Sequence, residues 1–414
     1  MRARPLCVLA AVTLAALAAP AHAQPPAERP SMAIVNANVV DVRAGRVIPS
    51  ATVVIRDGRI ASVGSGAAPA GLTVVDLRGR YLVPGLIDAH THLTTVREAR
   101  TALESGVTTV RSASVGSFRD VALRDLVRIN ALPGPDMVAA GIFVSPVLGA
   151  DDVLADPAIA KLPPRIESEE ALRALVRINL AHGVDVIKTR GTERAGLAET
   201  DPRKQTYSEA QLRAVVDEAA KKGVPVEAHA HGEEGGLAAV RAGVRSIEHG
   251  TYLSDETLRL MKEKNCFLVP TYTTVVDLAE PDGDYDVPAL RVRGAHMLPR
   301  LRQTVQQAYK LGVKIAAGGD THYGPQSLTR IAHEVANFVD IGLTPIDAIR
   351  SATSIAAELL GLEKTTGAIE AGLEADLVAV ERNPLDQIGV LQDPLLVVSN
   401  GFVAVDRLSF AKER

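Results

Sequence analysis

Two imidazoles one residue apart, His90 and His92, close the short apolar run Val83-Pro84-Gly85-Leu86-Ile87-Asp88-Ala89. On an extended chain alternate side chains project to one side, so the pair can reach a single ion. Neutral imidazole is the commonest nitrogen ligand for zinc and its neighbours. An isolated His-x-His reads equally as two surface histidines in a loop. What decides between these readings is the pattern further along the chain. Lys188 ends the run Val184-Asp185-Val186-Ile187, and His229 and His231 end Val226-Glu227-Ala228. His249 follows Ser246-Ile247-Glu248, and Asp320 follows Ala316-Ala317-Gly318-Gly319. Five of the ten histidines thus stand at ends of apolar runs, beside one lysine and one aspartate. Alone, Lys188 is a salt-bridged lysine and Asp320 a helix N-cap, and an ammonium has no lone pair to offer a metal. A buried lysine with a depressed pKa is different. It is a free amine, able to take up CO₂ as a carbamate that bridges two cations. Seven such groups together point to a catalytic metal site.

The elements that must position these groups alternate in kind. Strand-like runs fall at 86–88, 108–111, 136–140, 184–188, 224–228, 246–248, 267–271 and 314–317. Helical periods fall at 119–130, 169–181, 208–222, 254–264, 298–311 and 345–360. Ser168 and Ser208 are N-cap residues, and Gly183 and Gly223 are stops. Eight β/α alternations predict a (β/α)₈ TIM barrel over residues 85–365, with catalytic groups at the C-terminal ends of its strands. A doubly wound open sheet is the alternative, and it gives no reason for polar groups to recur at so many strand ends. Residues 31–84 and 366–410 are β-rich, with a hairpin signal at Asp57-Gly58, and predict one small composite β-sandwich built from both chain ends.

Residues 1–23 read as a cleavable signal peptide: a basic start at Arg2 and Arg4, an apolar stretch, and the small-x-small site Ala21-His22-Ala23. The apolar stretch is too short for a membrane anchor. Export to a bacterial periplasm is the simplest expectation. Cleavage removes two of the 45 basic residues and none of the 49 acidic ones, and a mildly acidic chain argues against nucleic acid as a partner. Cys266 then remains alone in an apolar run, so it reads as a core residue and no intrachain disulfide forms. With no tryptophan and 3% aromatic residues, an aromatic-lined sugar or base groove is not expected.

In order along the chain, Val83-Pro84-Gly85-Leu86-Ile87-Asp88-Ala89-His90-Thr91-His92, Ile187-Lys188, His229-Ala230-His231-Gly232, Ile247-Glu248-His249-Gly250, Gly319-Asp320-Thr321 and Gly372-Leu373-Glu374-Ala375-Asp376-Leu377-Val378 resemble the amidohydrolase superfamily, most closely its imidazolonepropionase-like and prolidase-like branch. The resemblance covers residues 31–407. It implies two divalent ions, with His90, His92 and Asp320 on the more buried one, His229 and His249 on the other, and N6-carboxylated Lys188 between them. Zn suits this N/O ligand mix best, with Mn, Co and Fe as alternatives. A water bridging the ions would lose its proton readily. Asp320 would take the proton and pass it to the leaving nitrogen. His231 would hydrogen-bond the substrate or its oxyanion. Relatives commonly form homo-oligomers.

Arg111 and Tyr272 are further expected substrate contacts, the first because a guanidinium holds a carboxylate bidentately. His322 is expected behind Asp320, and His182, His296 and His333 are expected to be structural. Two departures from the family pattern fall where substrate sits: Ser112 replaces an aspartate, and Ser145-Pro146-Val147-Leu148-Gly149-Ala150-Asp151-Asp152 replaces a Gly-Gly-His signature. The long stretches 145–165 and 274–291 are expected to wall the pocket. The expected activity is cleavage of a peptide or amide C–N bond, as a dipeptidase or carboxypeptidase-like enzyme acting on dipeptides or N-acyl amino acids. Alternatives are a cyclic amide or imidazolone hydrolase, an aryl-amide hydrolase of mycotoxin type, and a catalytically silent binding protein on the same fold.

Overall fold

The computed structural model describes residues 29–324, 327 and 329–409. The signal peptide expected at 1–23 lies outside them. Strands β1 (Met32–Asp41), β2 (Arg46–Arg56), β3 (Arg59–Gly64), β4 (Thr73–Asp76) and β5 (Tyr81–Pro84) come first. Seven short strands follow: β6 (Leu86–Thr91), β7 (Val107–Ser112), β8 (Asp136–Val138), β9 (Ile187–Arg190), β10 (Val226–Ala230), β11 (Ser246–His249) and β12 (Phe267–Val269). The last three are β13 (Leu377–Val380), β14 (Leu396–Ser399) and β15 (Phe402–Asp406).

Both β-rich ends enter one sheet, ordered β15-β14-β13-β5-β1-β2-β3, with β4 parallel to β1. The ends meet where β13 runs antiparallel to β5, Leu377 opposite Pro84. At the β2–β3 hairpin Asp57 and Gly58 both take positive φ (51° and 76°), the conformation such a tight turn needs. Ile34, Val53, Ile55, Leu82, Leu377 and Leu396 share one buried cluster in this part of the molecule.

The middle of the chain is α/β with parallel sheets, β6-β7-β8 and β12-β11-β10-β9. Every residue of β6, β7 and β10 is buried, as expected of parallel strands covered on both faces. Backbone hydrogen bonds link the two sheets at both margins. On one side the Ala139 carbonyl accepts from Asp185 and Val186, and the Lys188 carbonyl accepts from Val144. On the other, residues 314–321 lie between β12 and β6: Ala316 N–H donates to Leu268, Ala89 to Ala317, and Asp320 to His90. This last segment was expected as a full strand. It makes two isolated bridges, Leu268 to Ile315 and Thr91 to Thr321, with Gly318 and Gly319 between them. A Cβ on Gly318 would lie 2.7 Å from that of His90, so only glycine lets this segment close on β6.

Two other boundaries moved. β8 stops at Val138 because the buried Asp120 carboxylate accepts the N–H groups of Ala140 and Gly141, which removes them from the ladder. The helix expected from 298 begins at Pro288 and runs to Leu311 through Pro299. Its first residue is proline, which suits the first turn. Ser168 and Ser208 cap as expected, accepting from Ala171 and Gln211. Among the described residues no helix is long and apolar enough to cross a membrane.

Candidate metal centre

His90, His92, Lys188, His229, His231, His249 and Asp320 line one cavity of about 220 Å³. All but Asp320 stand on a parallel strand or directly after one, and Asp320 follows the segment that bridges β12 at Ile315, so the shared chain direction delivers them to the same end. The chain leaves its usual conformation there. Ser114, His249, Thr271 and Asp320 have φ of 82°, 74°, 47° and 46°. Such non-glycine residues are strained, and their gathering marks a site where geometry is imposed.

Asp320 Oδ1 lies 3.1 Å from His92 Nε2 and 3.4 Å from His90 Nε2. Potential ligand atoms of His90, His249 and Asp320 lie within 4.8 Å of one another, and so do those of His229, His231 and His249. His249 belongs to both groups. The His231 ring stacks on His249 at 4.5 Å and 13°, which brings His231 nearer to a ligand position than the sequence indicated.

The other nitrogen of each ring is engaged. His92 Nδ1 donates to the Ser114 carbonyl at 2.7 Å, and His229 Nε2 to the Glu193 carbonyl at 3.0 Å. His231 Nδ1 meets Thr251 Oγ1, and His249 Nδ1 meets Thr271 Oγ1. His90 Nδ1 lies 2.7 Å from Glu248 Oε2. A carbonyl accepts only, so His92 keeps its lone pair on Nε2 and His229 on Nδ1. Such orientation by a partner behind the ring is what metal-ligating histidines need. Burial pushes the pKa of His92 down, that of His231 to about 3, and those of His229 and His249 well below the ordinary value. All four rings are therefore neutral donors near pH 7. Burial opposes ionisation of Asp320, but His90 and His92 outweigh it and hold the carboxyl ionised.

Lys188 is 2% exposed, and its Nζ has no hydrogen-bond partner among the described residues. Burial drives its pKa down, against the pull of Glu227 and Glu248. An orphaned amine among neutral imidazoles and a carboxylate fits a divalent metal site better than a structural core.

Arg111 is not where the sequence suggested. It is 2% exposed and lies among the strands. Its Nη2 donates to both oxygens of Glu248 at 2.9 Å, and its Nε to the Ala89 carbonyl at 2.7 Å. Glu227 Oε2 lies 3.0 Å from Nε, but that N–H points at Ala89, leaving Glu227 unbonded among the described residues. The guanidinium therefore supports β10 and β11 and does not face the cavity. Tyr272 is buried as well. Its backbone N–H donates to Glu334, and the residue lies outside the cavity lining.

The cavity is lined instead by Tyr285, Phe143 and Arg194, all on loops. Of the two long stretches expected as walls, 145–165 supplies Asp152, and 274–291 supplies Thr274, Val275, Leu278 and Tyr285. His322 Nδ1 contacts the His92 carbonyl, so it braces that strand end. His182 stacks on Phe118 and pairs with Asp156.

Residues 81–404 match the model of the amidohydrolase family. The chain belongs to that family, and it is a hydrolase acting on carbon–nitrogen bonds. It is 29% identical to the ochratoxinase of Aspergillus niger, over 87% of this chain and 85% of that enzyme. It is 30% identical to the imidazolonepropionase of Ralstonia nicotianae, over 80% and 86% of the two chains. Among solved structures, a Xaa-Pro dipeptidase with methionine bound in its active site superposes with a TM-score of 0.80 and 28% identity, covering 90% of this chain and 99% of that one.

Proposed function

We propose that the chain is a two-metal amidohydrolase that releases an amino acid from a dipeptide or an N-acyl amino acid. The observation that carries this reading is the buried, unpartnered Lys188 amine in a cavity lined by five imidazoles and Asp320. His90, His92 and Asp320 would hold one ion and His229 and His249 the other, with Lys188 joining them as its carbamate. When bound, two divalent cations, Zn foremost and Mn, Co or Fe otherwise, polarise the scissile carbonyl and acidify water. Asp320, held ionised by His90 and His92, accepts the proton of the attacking water and delivers it to the leaving nitrogen. His231, neutral and braced by Thr251, directs its Nε2 to the carbonyl oxygen. Glu248 holds His90, and Arg111 holds Glu248.

This reading carries a matching architecture. Residues 85–365 form a (β/α)₈ barrel, 31–84 and 366–410 a composite β-sandwich, and 1–23 an export signal directing the enzyme to the periplasm, where it assembles as a homo-oligomer. A second reading, an aryl-amide hydrolase acting on a mycotoxin, is favoured by the likeness to ochratoxinase, and an imidazolone or cyclic amide by the likeness to imidazolonepropionase. A screen of dipeptides, N-acyl amino acids, ochratoxin-type aryl amides and cyclic amides, with Zn or Mn supplied, separates them. The proposal expects release of a free amino acid from the first two classes, abolished in Asp320→Asn. No release from either class, or activity indifferent to Asp320→Asn, overturns it.

A further inference from the structure

We propose that Arg194 is the receptor for a carboxylate on the substrate, so that the site selects acyl-amino acids bearing a free acid. The inference rests on the amide-hydrolase reading above and adds the residue that sets its specificity. Arg194 lines the same cavity as the imidazoles. Its guanidinium has no hydrogen bond or ion pair among the described residues. Its charged neighbours on the loop are matched: Glu193 with Lys204 at 2.8 Å, and Arg203 with Asp201 at 2.9 Å.

The cavity offers Arg194 no free carboxylate. Its acidic lining residues are Asp152 and Asp320. Asp152 accepts the N–H groups of Ser117 and Gly149, and Asp320 is held by His90 and His92. A second guanidinium, Arg190, stacks 4.5 Å from the centre of the Phe143 ring, and its buried Nε has no partner among the described residues. Two guanidinium groups with no carboxylate in hydrogen-bond or ion-pair contact among the described residues, Arg194 in the cavity lining and Arg190 against the Phe143 ring of that lining, define an anion site. A planar fork pairs best with the two oxygens of a carboxylate.

The loop carrying Arg194 is held in place. Thr192 and Gln205 pair across its base. Arg293, from the helix Pro288–Leu311, donates to the carbonyls of Ala195, Leu197, Ala198 and Thr200 at 2.5, 2.6, 3.1 and 2.6 Å. A loop fixed in this way loses little backbone freedom when substrate arrives.

The test compares an N-acyl amino acid with its C-terminal amide, in the metal-loaded wild type, Arg194→Met and Arg194→Lys. Arg194 is exposed, so both variants should fold. For Arg194→Met, kcat/KM should fall by about 10–100-fold on the acid, the scale of a charged hydrogen bond, and by no more than about 3-fold on the amide. Arg194→Lys should recover part of the loss. An equal loss on acid and amide, or no loss on the acid, overturns the proposal. A second arm needs no catalysis: calorimetric binding of 3-phenylpropanoate, 4-methylpentanoate and butanoate against the corresponding alcohols. At least one carboxylate should bind more tightly than its alcohol, and Arg194→Met should remove that preference. Absence of any carboxylate preference, or its survival in Arg194→Met, also overturns the proposal. Failure of the amide-hydrolase reading looks different: neither acid nor amide is hydrolysed, while Arg194-dependent carboxylate binding persists.

Discussion

His90 Nδ1 lies 2.7 Å from Glu248 Oε2, and this contact joins the proposed metal site to the interior of the parallel strands. The same carboxylate takes both oxygens to Arg111, so one buried chain of charge runs from guanidinium to carboxylate to imidazole. Burial would raise the Glu248 pKa, but Arg111 and His90 outweigh it and hold it down to about 2. Glu248 is therefore ionised near neutral pH. Its replacement by Gln should weaken metal affinity by about 10–100-fold, the usual effect of losing such a partner. Titration with a competing chelator measures this.

Arg111 should be a stability residue and not a substrate contact. Arg111→Met leaves two buried carboxylates, Glu248 and Glu227, without their counter-charge. Breaking a buried pair from one side costs about 3–5 kcal/mol. Urea denaturation should show a loss of that size. The ratio of kcat/KM between an acid substrate and its amide should stay as in the wild type, in contrast to Arg194→Met.

His231 is proposed to act on the carbonyl oxygen, although its ring lies close enough to His229 and His249 to be a ligand. His231→Asn should lower kcat by about 100-fold, the scale of removing one oxyanion donor, with metal content unchanged. Loss of an equivalent of metal would instead make His231 a ligand.

Lys188→Ala should lose metal and activity together. Short-chain carboxylic acids should restore part of both, since a free carboxylate can occupy the space of the carbamate. Added acetate or propionate in an activity assay reads this out. Full metal content in the variant would show that the lysine bridges nothing.

Stability should depend on pH through Asp376, where the two β-rich ends meet the rest of the chain. Burial foremost, then Asp136, raise its pKa to about 7. In the unfolded chain an aspartate releases its proton near pH ~4. Between about pH 4 and 7 the folded state thus binds the extra proton, so stability falls as pH rises through that window and levels off above it. Asp376→Asn keeps an acceptor for the Asn400 N–H and offers a donor to Thr366. The variant should gain on the wild type from pH ~4 to ~7 in denaturant titrations. A pH-independent difference would contradict the assignment.

Much of the site was legible because ligand-type residues sat at the ends of apolar runs, and strand direction alone gathers such ends. The caps at Ser168 and Ser208 and the turn at Asp57-Gly58 were legible for the same reason: they are local. Arg111 was misread because its partners, Glu227 and Glu248, are more than a hundred residues away, and strand-end position looks the same for a residue facing inward. Arg194 and Tyr285 were missed because no periodicity marks a loop residue. The loop that carries Arg194 is set by Arg293, far along the chain. The end of β8 was misplaced because the carboxylate that interrupts it, Asp120, belongs to a helix.

The most direct test of the account is the metal content of the purified protein after loading with Zn or Mn, by elemental analysis. About two equivalents per chain, with amide hydrolysis that disappears on chelation and returns on reloading, is the predicted result. A native protein that folds stably, takes up no divalent metal and hydrolyses its substrate in the presence of chelator would contradict it.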